Sequence, residues 1–561
     1  MNYVIIAIVV VGLFLFFFFK EYYDASKREK RLFEKIASEY GKFAEREYSA
    51  DELSRIALYS ARKNDPDSID AITASDIEFD RLFFAFNTSC SAPGSEYFYH
   101  RLKTPIFDGE ALEDFEKKVT FMSENREERE GFIKDLLTVG SMKGVSFWDC
   151  LDLFSEVRGK NLITEYIPII FMILAIGVIF LEGPIGVFLL VAGLIYNIVT
   201  YYKARGDIEV YVVCLGYIIN FLKVSDNIVK HRNDTVIDET LEIKELLKKL
   251  ESFRRSGRHA VNSNNNFTGV GNPFELLADY LRMLFHIDII NFYRSLDSLK
   301  KNMDLVERVY EDLGKIDTYI IVASLRKALG DWCVPEKGKG IKGVNMYHPL
   351  IFDPVKNSVE ALEKGVLITG SNASGKSTFL KTVLINAIMA KSIHTCTADS
   401  FSMDDYRIYS SMSLRDDLSH EDSYFMVEIK AIKRIIDKAD DEDPRPVLCF
   451  LDEVLRGTNT IERIAACTSI LESLKEKGVL CFVATHDIEL TGLMADKYDN
   501  YYFDENVTDN DITFSYMLKK GSAATRNAIK LLNLMGFSEN ITDKAGNMAA
   551  DFEKTGKWRA V

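Results

Sequence analysis

The spacing of apolar residues along the chain changes character several times, and each change marks an element. Tyr3–Phe19 is an uncharged apolar run of 17 residues, about the length that crosses hydrocarbon. Glu21–Asn64 is charged, with Phe33, Ile36, Tyr40 and Phe43 at 3–4 spacing, which predicts a juxtamembrane helix. Helical patterning continues over Asp76–Asp152, where Leu82, Phe83 and Phe86 lead to a loop at Cys90–Gly94 and Tyr97 to Leu102 resume the pattern. A second apolar block, Leu162–Tyr202, is broken by Glu182-Gly183-Pro184 and predicts a helical hairpin with a tight turn. Beyond it, Ile208–Leu250 and Pro273–Leu329 read as long helices, with Leu276, Tyr280, Met283 and Leu284 as one apolar stripe. Ser256–Asn272, rich in Ser, Asn and Gly, reads as a loop between them. From Gly343 short apolar strands alternate with helical stretches, the pattern of a parallel sheet.

Each half of Leu162–Tyr202 is of spanning length, so the pattern predicts three membrane spans; a hairpin buried in a soluble core is the competing reading. No basic stretch precedes Tyr3 and no small-residue cleavage site follows Phe19, which weakens a removable signal peptide. Lys20, Lys27, Arg28, Lys30 and Arg31 follow the first span, and Lys203 and Arg205 follow the third. By the positive-inside rule the large segments are then cytoplasmic and the protein is multi-pass.

A chain of 561 residues is too long for one core and predicts three or four units. Its net charge of −15 argues against a wholly basic nucleic-acid coat, while leaving room for a local patch. Lys248, Lys249, Arg254, Arg255, Arg258 and His259 form one such cluster. It suits either a polyanion, DNA or lipid headgroups, or simply a charged helix end in water. The eight cysteines are scattered without a C-x-x-C pair, which favours free thiols in a reducing compartment. His100, His231, His286 and His394 have no metal-type spacing.

Candidate chemistry concentrates in Val366–Leu384. Val366, Leu367 and Ile368 predict a strand, and Phe379, Leu380, Val383, Leu384 and Ile388 an apolar helix face. Between them Gly370-Ser371-Asn372-Ala373-Ser374-Gly375-Lys376-Ser377 fits G-x-x-x-x-G-K-[ST], followed by Thr378. Such a loop closes backbone N–H groups around a phosphate at a helix N-terminus; Lys376 is placed to reach the β/γ-phosphates of ATP, and Ser377 to put its hydroxyl on Mg²⁺. Val447–Leu451 is an apolar strand ending in Asp452-Glu453, where Asp452 is the second candidate on Mg²⁺ and Glu453 the candidate to orient or deprotonate water. Another apolar strand, Val479–Ala484, ends at Thr485-His486-Asp487, and places His486 where it can sense a γ-phosphate.

Taken together, these motifs resemble the MutS family of ABC-class ATPases. Thr369–Thr378 reads TGSNASGKST against the family's TGxNxxGKST, and Leu451–Thr460 reads LDEVLRGTNT where the family has its acidic strand end and GT-rich turn. Ala484–Thr491 is similar to the histidine motif, and Ser423-Tyr424-Phe425-Met426-Val427-Glu428 is of the SxFMVE type. The resemblance implies a dimer in which Ser423 reaches the partner subunit's nucleotide; as a residue it also suits a helix N-cap. His348-Pro349-Leu350 and, more loosely, Asn357-Ser358-Val359 resemble family segments before the loop, the latter near the nucleotide base; Gly521–Asn527 and the helices after it resemble its dimer contact. Asn87–Ser95 and Leu102–Pro105 look like the start of the family's helical core. DNA is the partner the resemblance implies, yet no Phe-x-Glu mismatch-reading domain precedes the core.

The reading is therefore an α/β P-loop NTPase domain of the ABC/MutS type plus an α-helical core, with an N-terminal transmembrane helix and an inserted transmembrane hairpin. The expected boundaries are 1–20 (membrane helix), 21–75 (juxtamembrane), 76–161 and 203–335 (helical core, two parts), 162–202 (hairpin), 343–520 (ATPase) and 521–561 (dimerisation helices). An ABC-like engine acting on a membrane or protein client, without DNA, is the alternative.

Overall fold

The computed structural model describes residues 20, 23, 27, 30–140, 142, 144–157, 162–231, 236–261, 284–371, 374–412, 424–507, 512–522, 529, 532, 535–556 and 558. The expected first span, Tyr3–Phe19, lies outside them. The chain forms two compact units: Met1–Asn64, Phe86–His100 and Glu113–Ala328 make one, and Asp65–Ala85, Arg101–Leu112 and Leu329–Val561 the other.

Among the described residues the second unit holds ten strands: β1 (Glu336–Lys337), β2 (Ile341–Met346), β3 (Asn357–Ala361), β4 (Gly365–Thr369), β5 (Ser400–Met403), β6 (Arg407–Ser411), β7 (Val447–Asp452), β8 (Leu480–Ala484), β9 (Tyr498–Val507) and β10 (Ile512–Lys520). The larger sheet runs β10-β9-β4-β8-β7-β6, with β10 antiparallel and the rest parallel. β4, β7 and β8 are buried at every position, which is why they read as unbroken apolar runs rather than alternating ones. The smaller sheet, β1-β5-β2-β3, is mixed and was not foreseen in the sequence; its strands are short and half-exposed, and carry no period of their own. Helix Lys376–Ser392 packs against strands of both sheets, so it is buried nearly all round instead of along one stripe.

The edge of the large sheet is sealed from far upstream. Asp70 caps the short helix Ala71–Asp76. From that helix, fully buried Asp76 accepts from the Ser410 hydroxyl at 2.6 Å and the Met412 N–H at 2.9 Å, while the Thr73 hydroxyl accepts from Ser410 N–H at 3.1 Å. β6 is an edge strand, and these contacts satisfy groups that would otherwise be open to another chain. Arg434 and Arg445 hold the same segment through Asp70 and Asp67, both at 2.7 Å. Residues 65–85 thus fold with the sheets, whereas the expected boundaries divided them between a juxtamembrane segment and the helical core.

The helical unit is organised on aromatic side chains. Phe147 stacks on Tyr310 with centroids 4.0 Å apart and meets Phe221 edge-on at 5.6 Å. Buried Asp317 accepts from Ser91 Oγ at 2.6 Å, Ser89 Oγ at 2.8 Å and Cys90 Sγ at 3.4 Å. A Cβ on Gly94 would sit 1.9 Å from this carboxylate, so glycine is required there. The Asn87–Ser91 loop and the first turn of helix Ala92–Lys103 are therefore a receptor for one buried acid.

Helices Ile163–Leu181 and Gly183–His231 form the apolar hairpin, Gly186 lying against Ile179 and Gly193 against Phe171. Its outer surface is apolar and open: Phe180 and Leu181 are 85% and 83% exposed. Among the described residues one helix, Gly183–Lys230, is long and apolar enough to cross a membrane, and only 17% of its most apolar window is buried; Glu165–Leu181 is a shorter apolar helix. The second helix does not stop at Tyr202. It continues unbroken for 49 residues, about 73 Å, into the helical unit. The helix Glu251–Val261 likewise runs on into the expected Ser256–Asn272 loop, of which 262–272 lie outside the described residues.

Asp76→Ala should destabilise the sheet unit by about 2–3 kcal/mol, since it strands two buried donors, and lower the melting temperature of the purified chain by about 5 °C. Asp76→Asn, which can still accept, should recover part of the loss; equal melting of all three proteins would show that the edge is held by other contacts.

Candidate functional site

β4 ends in Gly370, whose φ of +143° and whose crowding, a Cβ there lying 2.8 Å from Ser374 Oγ, admit glycine alone. Ser374 Oγ donates to Ser371 O at 2.7 Å, Ser371 Oγ to Glu505 at 2.6 Å, and Gly375 at φ +104° opens helix Lys376–Ser392. Asn372 and Ala373 lie outside the described residues. Lys376 is only 2% exposed, and its ammonium donates to Gly370 O at 2.7 Å and Ser371 O at 2.8 Å. Burial pushes its pKa down, against the pull of the Glu453 and Asp452 carboxylates. A cation folded onto its own loop in this way exchanges those carbonyls for a stronger anion when one arrives.

β8 stands between β4 and β7 in the sheet, so the carboxyl ends of three adjacent strands carry the loop, Thr485-His486-Asp487 and Asp452-Glu453 side by side. Asp452 is buried and hydrogen-bonded by the Ser377 side chain; desolvation raises its pKa. Its Oδ1 is buried with no hydrogen-bond partner among the described residues. A hydroxyl beside an orphaned carboxylate oxygen fits a hard divalent cation such as Mg²⁺, which takes one or two protein oxygens and keeps its waters. No cluster of three or more His, Cys, Asp or Glu suited to a metal occurs among the described residues.

Glu453 is held ionised. His486 Nδ1 lies 3.4 Å from its Oε2 and Arg456 Nε 2.6 Å, and its pKa is lowered, the His486 hydrogen bond being the largest cause. Glu453 and Leu455 both occupy left-handed backbone, at φ +51° and +60°. Side chains rarely adopt it, and it is maintained here because Glu453 N–H donates to Ala484 O at 2.9 Å and Glu428 accepts from Leu455 N–H. Behind His486, Arg463 grips Asp487 through two nitrogens at 2.6 and 2.8 Å. Arg456, Arg463 and Glu505 had no role in the sequence reading; only Arg456, three residues after Glu453, could have been suspected from spacing.

A cavity of about 430 Å³ opens beside Gly375, Ser377 and Thr378, lined on its far side by His348, Asn357 and Tyr516. Asn357 ties it together, accepting from Leu518 N–H at 2.7 Å and donating to Tyr516 O at 2.9 Å. Desolvation brings the His348 pKa down to about 4, leaving a neutral ring against the cavity. Ser423 lies outside the described residues, as do residues 523–528 of the expected dimer contact.

A buried parallel sheet with a glycine loop and an acid-tipped strand at one end is an α/β domain of the ATPase type. Residues 366–553 match the family model of MutS domain V. The chain is similar to DNA mismatch repair protein MutS of Thermus thermophilus, 26% identical over 250 residues that cover 44% of this chain and 30% of that one. It is also similar to DNA mismatch repair protein MutS 2 of Haloarcula marismortui, 26% identical over 289 residues (46% and 30%). Human MutS protein homolog 4 is 28% identical over 270 residues (45% and 28%). The match thus spans about 30% of the length of these relatives.

Because the folded-state pKa of Glu453 lies below its unfolded value, its contribution to stability is present above the usual carboxylate range and is lost as pH falls through the lowered value. His486→Ala should therefore melt below wild type near pH 6, the gap closing toward pH 3; a gap that is constant with pH would remove the coupling.

Proposed function

We propose that the chain is a membrane-anchored, MutS-type ATP hydrolase that works as a homodimer. The observation that carries this reading is the convergence of Lys376, Asp452, Glu453 and His486 at the ends of three neighbouring strands. Gly370–Thr378 cradle the phosphates of ATP through backbone N–H groups, Lys376 turns from its own carbonyls to the β/γ-phosphates, and the base lies in the cavity by His348 and Asn357. Ser377 and Asp452 hold Mg²⁺, which neutralises charge on the phosphates when bound. Glu453, already ionised, orients and deprotonates the attacking water, and His486 both fixes Glu453 and reports the γ-phosphate. Ser423 completes the partner subunit's site, so hydrolysis depends on how two protomers meet.

Three spans, Tyr3–Phe19 and the two hairpin helices, anchor the protein with its ATPase domain in the cytoplasm. The exposed apolar outer face of the hairpin supports this, because water-soluble surfaces rarely carry so large a patch. The relatives' names speak of DNA mismatch repair, and DNA is the client proposed here. The same open hairpin favours the second reading, an ATPase acting on a membrane or protein client.

Glu453→Gln should lower turnover by about 10²–10⁴-fold while leaving ATP affinity near wild type, whereas Lys376→Ala should lose ATP binding itself. Phosphate release and fluorescent-nucleotide binding on the solubilised chain check both; a Glu453→Gln protein that still turns over would move the base elsewhere. Carbonate-washed membranes should retain the protein, and its release into the wash would overturn the anchor.

A further inference from the structure

The turn that carries Glu453 is strained, and one of its supports has no role in the reading above. Glu453 and Leu455 stand at φ +51° and +60°; nowhere else among the described residues do two side chains in left-handed backbone fall so close together. Such backbone is costly for any residue with a Cβ and survives only where its surroundings over-determine it. The supports come from separate elements. Glu453 N–H donates to Ala484 O at the end of β8 at 2.9 Å, and Cys467 Sγ, on helix Thr460–Glu476, donates to Val454 O at 3.4 Å. Leu455 N–H donates to Glu428 Oε1, on helix Tyr424–Ala439. One turn before Glu428, Phe425 packs beside Gly457, where a Cβ would lie 3.4 Å from the ring. Helix Tyr424–Ala439 thus holds the turn at Leu455 and again at Gly457. Glu428 is only 5% exposed and burial raises its pKa, so the acid sits there against the preference of a carboxylate for water.

We propose that Glu428 is a positioning residue for ATP hydrolysis: by holding the Leu455 N–H it keeps the turn Glu453–Gly457 in the shape that presents the Glu453 carboxylate to water. This deepens the reading of Glu453 as the base and rests on it. Glu453 and Arg456 are paired at 2.6 Å from within this one turn, and His486 meets Glu453 from β8 at 3.4 Å, so the shape of the turn sets both contacts. Without Glu428 the Leu455 N–H is left in a buried site without its acceptor. Leu455 then gains by returning to negative φ, which rotates the Val454–Leu455 peptide and carries Glu453 and Arg456 with it. A carboxyl oxygen is the strong partner here, since the thiol of Cys467 is a weak donor and cannot fix the turn alone. The phosphate loop is held by contacts of its own, from Ser374 and Lys376 to Ser371 O and from Lys376 to Gly370 O. Loss of Glu428 therefore acts on turnover and leaves nucleotide binding in place.

The test measures kcat and KM for ATP with Mg²⁺ on the purified full chain. Rates are counted per site titrated with fluorescent nucleotide, so that unfolded protein does not enter them. Glu428→Ala should lower kcat about 10–100-fold and leave KM within about twofold of wild type. Should the alanine variant not fold, Glu428→Met, close in volume and without an acceptor, should show the same split. Glu428→Gln, whose carbonyl still accepts, should keep kcat within about threefold of wild type. Adding Leu455→Gly to Glu428→Ala should recover about fivefold of the lost kcat, because glycine holds left-handed backbone without support. A role in stability alone predicts the reverse, since removing a buried leucine side chain leaves a cavity. In a Glu453→Gln background Glu428→Ala should cost nothing further, as the two residues act through one group. An equal loss from Glu428→Ala in both backgrounds, a raised KM at unchanged kcat, or no recovery with Leu455→Gly each overturns the positioning role and spares the base. Wild-type turnover by Glu453→Gln alone overturns the base, and the positioning role with it.

Discussion

In a parallel sheet covered on both faces, the strand interiors are closed to chemistry. β4, β7 and β8 have no exposed residue along their length, so whatever leaves the core must leave at their ends. Because the three strands are adjacent and run the same way, their carboxyl ends coincide, and residues separated by more than a hundred positions in the chain share one small volume. The rest of the sheet unit serves that constraint. Helix Lys376–Ser392 is gripped by both sheets, and the β6 edge is closed by Asp76 and Thr73.

The electrostatics follow from the same burial. Lys376, Asp452 and Glu453 are all held at low exposure, where each alone would be costly as an ion; together they offset one another. The balance is uneven, however: Glu453 has two cationic or donor neighbours in Arg456 and His486, whereas Asp452 keeps an orphaned oxygen. That asymmetry separates a carboxylate suited to water from one suited to a cation.

How much of this could be read from residues alone varied with the range of the interaction. The strand before Gly370, the helix after it and the Asp452-Glu453 strand end are local patterns, and they stand where their periodicity put them. The role of His486 rested on assuming a sheet order; β8 lying between β4 and β7 is a three-dimensional fact no window of sequence contains. Arg463 on Asp487, Asp76 on Ser410 and Asp317 on the Ser89–Ser91 loop escaped notice because each joins segments 24 to 334 positions apart through a single side chain. The small mixed sheet was missed because its strands are too short and too exposed to show a period. The long helix was divided at Lys203 because polarity changes there, although the backbone does not.

That uninterrupted helix couples two environments mechanically. Its first five to six turns carry the apolar hairpin surface, and further along the same rod Phe221 is locked against Phe147 and Tyr310 in the helical core. A rod of about 73 Å without a proline between Ile185 and His231 has no hinge at which to absorb a change of angle. Under the membrane reading proposed above, a change in bilayer thickness that made the hairpin lean would lean the aromatic packing with it, and the surrounding lipid would become one of the forces acting on the fold.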